Sequence, residues 1–491
     1  MTTTPATRTR TGRPSATVLA VGGLTLLALG LRAVALDESF FGDELFTHLI
    51  STRPDLHAVL AGVRSNLEIS PPLFFVVAWL FGKLGDPFVW LRMPSLLAGV
   101  ATVPFVYVLG ARTVGRAGAL AGTTFFALSP LAIFYASEAR AYALMTLLVV
   151  LSTLSLLRAL ETNDRLWWAA FALLQAAAMY SHYTAAFVLA AQGVWALLTY
   201  PSRRVQLLVS TAAAAFLFAP WVPELLDDRN APNQRIIGAF EPFNLDTVTR
   251  NTGRLADGGP FAPLSDLPGT AAFVMLGLAV LIGLVGLVLS LRRRPRPDLR
   301  SRIVLIALLA LAAPVGAAIY SAGSDDLYVA RNLISSLPYL ALALGALLTA
   351  LPRRAAIPAL ALATVALAIG GFGTLETDTQ RPAYAAAADF VEAHARPGDV
   401  VLDLNPFPGP PSNALDVHLD GSLPVFKLGY PGQEQRAIRR AGDGGRIIYV
   451  RPEIGVVRGV VPKSLRGRRE LASQTWSGWF PLTVLVYAPR G

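Results

Sequence analysis

"PPLFFVVAWLFGK", residues 71–83, decides how the rest of the chain crosses a membrane. Its apolar core is shorter than the ~20 residues that a helix rising ~1.5 Å per residue needs to cross the hydrocarbon layer. Counted as a span, it would invert every loop that follows. The arginine clusters downstream would then face outward, against the inward bias of Lys and Arg in membrane proteins. The segment therefore reads as a helix lying at the outer interface. Its two prolines suit a helix start, and Trp79 and Lys83 suit that depth.

Composition explains why a membrane is the frame. Of 491 residues, 54% are hydrophobic and 15% charged, against about a quarter charged in soluble domains. The net charge of +10 would suit a nucleic-acid partner, but the basic residues sit in short clusters between long apolar runs. They fit membrane orientation, and no nucleic acid is expected. The absence of cysteine excludes disulfides, thiolate metal sites and cysteine nucleophiles.

The first run, Ala16 to Leu36, follows Arg8, Arg10 and Arg13 and lacks a small-residue cleavage pattern, so it reads as a retained span with its N-terminus in the cytoplasm. Further spans are expected near 91–110, 117–135, 141–158, 166–181, 184–200, 205–221, 269–291, 303–321, 332–351 and 355–373, eleven in all. Every inner loop is then basic: Arg112 and Arg116, Arg158 and Arg165, Arg203 and Arg204, "RRRPRPDLRSR" from Arg292 to Arg302, and Arg353 with Arg354. The expected fold is an all-α polytopic membrane protein with a small C-terminal α/β domain. Residues 1–15 form a cytoplasmic tail, 16–373 the membrane domain with an outer loop at 37–90, and 374–491 the extracytoplasmic domain. In that last part "RPAYAAAADFVEAHARPGDVVLDL" reads as helix, turn and strand, with "GGRIIYV" and "PLTVLVYA" as further strands and "NPFPGPPSNALDVHLDG" as a long loop.

Ionisable groups at membrane depth are costly, so their placement is informative. They gather at the outer ends of spans. "FFGDELFTH" presents Asp43 and Glu44, "NLEISPPLFF" Glu68 and Ser70, and "YASEARAYA" Glu138, Arg140 and Tyr142; "YSHYT" adds His182 and Tyr183, and "SDDLYVARN" adds Asp325, Asp326 and Arg331. Each has an ordinary reading beside the functional one. Asp43, Glu44, Asp325 and Asp326 also read as solvated loop acids, Glu68 as a helix N-terminal charge, and His182 as a packing histidine. Glu138 and Arg140, two apart, would not face each other on a helix. Arg331 runs against the inward bias of arginine, which favours a phosphate or carboxylate partner for its planar fork.

The ordered series "GDELFT", "EISPPLFF", "LRMPSLLAGVATVPFVYVLG", "LSPLAIFYASEARAYALM", "YSHYTAAFVLAAQGVWALL", "APWVPELL" and "YVARNLISSLPYLALAL" resembles the bacterial GT-C glycosyltransferases related to dolichyl-phosphate-mannose protein mannosyltransferases and lipid A aminoarabinose transferases. The resemblance covers roughly residues 15–350. It implies transfer of a sugar from a polyprenyl-phosphate donor to a hydroxyl of an envelope glycan, lipid or protein on the outer face, with inversion at the anomeric carbon. Asp43 matches the family's catalytic base and Glu44 its neighbouring acid. Glu138 lies near a second acidic position and Arg331 near a phosphate-holding base, with Arg140, His182 and Tyr183 placed to assist and Glu68, Ser70 and Tyr142 as substrate or loop contacts. Ser70 departs from the His, Lys or Asn of many relatives before the Pro-Pro pair, which weakens the phosphate contact there.

A sugar hydroxyl needs a carboxylate to take its proton, whereas a phosphate leaving group mainly needs positive charge. Mannose or a pentose fits as cargo. A divalent cation, Mg or Mn, is compatible with Asp43, Glu44 and Glu138 if they meet. The Arg- and Ala-rich usage fits a high-GC actinobacterium. A polyprenyl-linked lipid or glycan transporter, or a non-catalytic glycolipid-binding subunit, stands as the alternative; a transporter would carry its acids at the midplane and in both leaflets.

Overall fold

The computed structural model describes residues 15–65, 68–228, 241–291, 302–324, 326–404, 414–419, 421 and 423–490. The arginines at 8, 10 and 13, the run 292–301, Asp325 and most of the Pro/Gly-rich stretch after residue 404 lie outside the described residues. All eleven expected segments are helical. Among the described residues eight helices are long and apolar enough to cross a membrane, nine if one bent pair counts as a single span. The protein is a multi-pass membrane protein, and the expected count of eleven is not reached, for local reasons. Gly115–Leu128 and Pro130–Ala136 bend by 59° at Ser129, because Pro130 has no N–H to continue the ladder. Arg32, fully buried in the first span, donates from Nη1 to the Ala127 carbonyl at 3.1 Å just before that break. Arg165–Ser181 and Ala185–Thr199 have only 17 and 15 residues, short of the ~20 a crossing needs. Leu73–Gly82 is a helix of ten residues, also too short to cross.

Close packing sets the relative position of the spans. Helix Gly115–Leu128 lies directly on Leu337–Thr349. A Cβ on Gly345 would strike the Gly118 carbonyl, and one on Gly122 would meet Leu342 Cα at 2.8 Å. With little hydrophobic drive between helices in lipid, such small-residue contacts carry association. They fix the segment carrying Arg331, which precedes Leu337, against the bent pair.

The two ends of the bundle differ in charge. At one, Glu161 gathers Arg302 at 2.6 Å, Arg158 at 3.6 Å and Arg112 at 4.0 Å, so basic residues from three expected inner loops meet. The other end carries Asp43, Glu138 and Arg331.

After the last long helix, Arg353–Gly373, the chain forms a five-stranded sheet: β1 (Val400–Asp403), β2 (Val425–Lys427), β3 (Ile447–Pro452), β4 (Glu470–Trp476) and β5 (Leu482–Tyr487), in the order β2-β1-β3-β5-β4. β1 pairs in parallel with β2 and β3, and β5 antiparallel with β3 and β4. The three strand-like runs read from sequence are β1, β3 and β5; β2, β4 and the helix Gln433–Ala441 were not legible. One sheet face, with Val401, Ile448, Val450 and Val484, shares a core with Phe40, Leu45, Phe74 and Leu91 of the membrane domain. The sheet is therefore docked on the loop after the first span.

Candidate active site

Asp43 stands at the N-cap of helix Glu44–Ser51, following a turn in which Gly42 takes a positive φ of 61°. Only glycine adopts that backbone without cost. Arg331 Nη1 donates to Asp43 Oδ2 at 3.0 Å, and the Asp43 side chain keeps a third of its surface open. Burial pushes the Asp43 pKa up, but the charges of Arg331 and Arg140 outweigh it and hold the carboxyl below its ordinary value. The result is an ionised, accessible carboxylate beside a guanidinium.

Glu44 takes a different place. It is fully buried and receives Arg92 through both oxygens, at 2.7 and 2.6 Å, the Ala139 N–H at 2.8 Å, and Arg381 Nε at 3.2 Å. Arg92 also donates to the carbonyls of Leu36, Glu38 and Ser39. Neither Glu44 oxygen is open to a substrate proton, which corrects the expectation that Glu44 shares the chemistry. It is the keystone that ties the Asp43 turn to the start of the Met93–Thr113 helix.

Residues 137–141 break the helical path between Ala136 and Tyr142. Ala139 accepts from Thr47 Oγ1 at 2.7 Å, and Arg140 O accepts from Ser95 Oγ at 3.0 Å. This pins the link beneath Asp43. On this non-helical link Glu138 and Arg140 diverge. Arg140 closes a bidentate pair with Glu68, at 2.6 and 3.1 Å, and reaches Ser70 Oγ at 3.3 Å. Glu138 is buried with Oε2 lacking a hydrogen-bond partner among the described residues. Burial, reinforced by the charges of Asp43 and Glu44, raises its pKa to about 8.

His182 Nδ1 lies 2.9 Å from Thr184 Oγ1, and its ring sits 5.1 Å from Tyr142. Burial and the neighbouring arginines Arg140 and Arg331 lower its pKa to about 3, so it is a neutral imidazole. Tyr183, expected at the donor site, turns instead to Asp228 at 2.6 Å and to Trp221 Nε1 at 3.1 Å. Asp326 caps the Phe243 N–H at 2.7 Å, a loop role. Among the described residues, no group of three or more His, Asp or Glu is placed to hold a metal ion. With Asp43 facing Arg331 and both Glu44 oxygens taken up, Asp43, Glu44 and Glu138 do not form a ligand set.

Two site residues escaped the sequence reading. Arg92 falls at the outer end of the span expected near 91–110 and has no reading of its own in the sequence. Arg381, from the connection to the sheet, pairs with Glu38 at 2.9 Å as well as with Glu44 and stacks over Phe134. A narrow crevice beside it runs between Leu31, Phe134, Phe261 and Leu375; Asp43 and Arg331 do not line it.

The family of dolichyl-phosphate-mannose-protein mannosyltransferases matches residues 70–225. YkcB of Bacillus subtilis strain 168, named as a mannosyltransferase, is 26% identical over 217 residues, 40% of this chain and 29% of that protein's length. Among solved structures, ArnT from Cupriavidus metallidurans bound to undecaprenyl phosphate superposes with a TM-score of 0.56 at 14% identity, over 96% of this chain and 98% of that one. The oligosaccharyltransferase AglB from Archaeoglobus fulgidus, in complex with an inhibitory peptide and a dolichol-phosphate, gives 0.50 at 11% identity over 88% and 69%. At these identities the superpositions on ArnT and AglB show a shared fold, and the mannosyltransferase family and YkcB match only part of the chain.

Proposed function

We propose that the protein transfers a sugar, mannose or a pentose, from a polyprenyl-phosphate carrier to a hydroxyl of an envelope glycan, lipid or protein, with inversion and on the outer face of the cell membrane. The observation that carries this reading is the Asp43–Arg331 pair: an ionised carboxylate, one third open, 3.0 Å from a guanidinium. Asp43 takes the proton of the acceptor hydroxyl as its oxygen attacks the anomeric carbon. The bond from that carbon to the phosphate oxygen breaks, and the oxygen leaves with the electron pair. Arg331 is positioned to stabilise the departing phosphate. Arg140 contributes positive potential while Glu68 holds it, and Glu44 orients the turn. No covalent glycosyl-enzyme is needed.

The carrier fits a fold shared with a protein solved with undecaprenyl phosphate. The outward placement of Asp43 rests on the basic cluster around Glu161 at the opposite end; a reporter fused after Arg294 is expected to signal from the cytoplasm. The deciding experiment incubates purified protein in lipid with a panel of polyprenyl-phosphate sugars and extracted envelope acceptors. Asp43→Asn should lower turnover by about 10²–10⁴-fold, the usual worth of a general base. Equal transfer by wild type and variant would remove Asp43 as the base.

A further inference from the structure

His182 carries its ring proton on a defined nitrogen. Helix Arg165–Ser181 ends at His182, whose extended backbone leads through Tyr183 and Thr184 into helix Ala185–Thr199. The Thr184 N–H donates to His182 Nδ1 at 3.3 Å, and Thr184 Oγ1 lies 2.9 Å from the same nitrogen. A backbone amide has only a proton to give, so Nδ1 offers its lone pair. Burial and the positive charges of Arg140 and Arg331 outweigh Asp43 and keep the imidazole neutral. In that neutral ring the proton sits on Nε2. Nε2 has no hydrogen-bond partner among the described residues, and the ring is only half-buried. Tyr142 stands beside it, with ring centroids 5.1 Å apart. Tyr135 packs edge-on against Tyr142 at 4.6 Å, which holds the phenol in place. The Tyr142 hydroxyl also has no hydrogen-bond partner among the described residues. The charges of Arg331, Asp43 and Arg140 act on both groups. The Nε2–H and the phenol O–H are therefore uncharged donors bordering the Asp43–Arg331 pair.

We infer that His182 and Tyr142 determine donor specificity by hydrogen-bonding the transferred sugar, giving the His182 Nε2–H and the Tyr142 O–H to its uncharged ring hydroxyls. A phosphate is served by charge, which Arg331 and Arg140 supply. An imidazole that those same guanidiniums keep from protonating adds no charge for an anion, and its single open donor suits a neutral oxygen. A donor met only by the right hydroxyl rejects an analogue that lacks it, because the polar group is then left unpaired. The inference rests on the transferase reading in one respect, that the sugar lies against the Asp43–Arg331 pair. It concerns the binding of the donor, before any acceptor arrives.

The test measures binding of undecaprenyl phosphate, undecaprenyl-phosphate mannose and undecaprenyl-phosphate arabinose to the full chain in nanodiscs, with no acceptor present. Transfer to extracted acceptors is assayed in parallel. Wild type should bind at least one sugar lipid more tightly than the bare phosphate. His182→Ala and Tyr142→Phe should each weaken that sugar lipid by about threefold to tenfold, the worth of one neutral hydrogen bond, and leave the bare phosphate within about twofold. Retained binding of the bare phosphate reports a folded site. His182→Gln, whose side-chain amide is an uncharged donor, should recover part of the loss. The advantage of wild type over His182→Ala should stay constant from about pH 5 to 8, since the ring does not titrate there. Equal weakening of both ligands in His182→Ala, an advantage that changes across that range, or no preference for a sugar lipid in wild type would overturn the inference. A sugar lipid bound with the expected preference but never transferred would count against the transferase reading alone. Transfer with an unchanged donor KM in both His182→Ala and Tyr142→Phe would count against the inference alone.

Discussion

Arg331 reaches across 288 positions of sequence to place Nη1 3.0 Å from Asp43 Oδ2. The contact ties the carboxylate's proton affinity to a residue at the head of a distant helix. Burial alone would raise the Asp43 pKa, and Arg331 is the first of the charges that reverse it. Arg331→Gln should therefore raise that pKa. On the proposed mechanism the base works ionised, so the acid limb of the pH profile of kcat/KM should move to higher pH in the variant. Its kcat at neutral pH should fall about tenfold to a thousandfold through lost stabilisation of the phosphate. An unmoved acid limb would show that Asp43 does not titrate in the rate.

Glu44 and Arg92 predict a loss of stability instead. Both side chains are fully buried, and removing one partner strands the other charge away from water. Breaking such a pair typically costs about 3–5 kcal/mol. Arg92→Leu is expected at the upper end, because the three carbonyls at 36, 38 and 39 lose their donor as well. Thermal unfolding in detergent should show a large drop in midpoint for Arg92→Leu and Glu44→Gln, and little change for Asp43→Asn, whose carboxylate is partly open. Equal midpoints for all three would contradict the division between a structural Glu44 and a chemical Asp43.

The span helices were legible because long apolar runs have few alternatives to a helix in lipid. The bend at Pro130 and the short helices ending at Ser181 and Thr199 blurred the count, since hydropathy does not register where a ladder breaks. At the site, Arg331 stood out as an arginine against the inward bias, whereas Asp43, which also reads as a loop acid, was singled out only through the family resemblance. Arg92 and Arg381 did not stand out, because an arginine at a span end or in a connection looks the same whether it anchors at an interface or is buried around a carboxylate. Tyr183 was misplaced for a geometric reason: after the extended His182, consecutive side chains point apart, and Tyr183 faces Asp228. In the C-terminal region β1, β3 and β5 carried continuous apolar runs. β4, with Glu470, Ser473 and Gln474, is an edge strand whose exposed polar pattern gave no such signal.

Glu138 makes stability depend on pH. Its pKa is near the ordinary 4.5 in the unfolded chain and about 8 in the folded one. Between those values the native state holds a proton that the unfolded chain has released, so its contribution to stability is fully present below about 4.5 and is lost as pH rises through about 8. Glu138→Gln carries no such proton. The variant should gain in melting temperature relative to wild type as pH goes from 5 to 8.5, and parallel melting curves across that range would exclude a protonated Glu138.

Arg381 links the docked sheet to the turn that presents Asp43. It leaves the connection after Gly373, pairs with Glu38 and Glu44, and lies three residues before Tyr384, whose ring stacks on Phe41 at 5.9 Å. Two further bonds bind the same stretch of loop: Ala385 N–H to Ser39 Oγ at 2.8 Å, and Phe40 N–H to His418 Nε2 at 3.1 Å. Residues 38–44 are thus gripped on both sides of the turn that presents Asp43. Arg381→Gln should loosen that turn while leaving Arg331 and Arg140 in place, so kcat should fall by about tenfold or more while KM for the donor stays close to wild type, the signature of lost orientation. Arg381→Lys, which restores the charge but not the fork that spans two carboxylates, should recover part of the loss. A donor KM raised in step with the fall in kcat/KM, at constant kcat, would place Arg381 in donor binding instead.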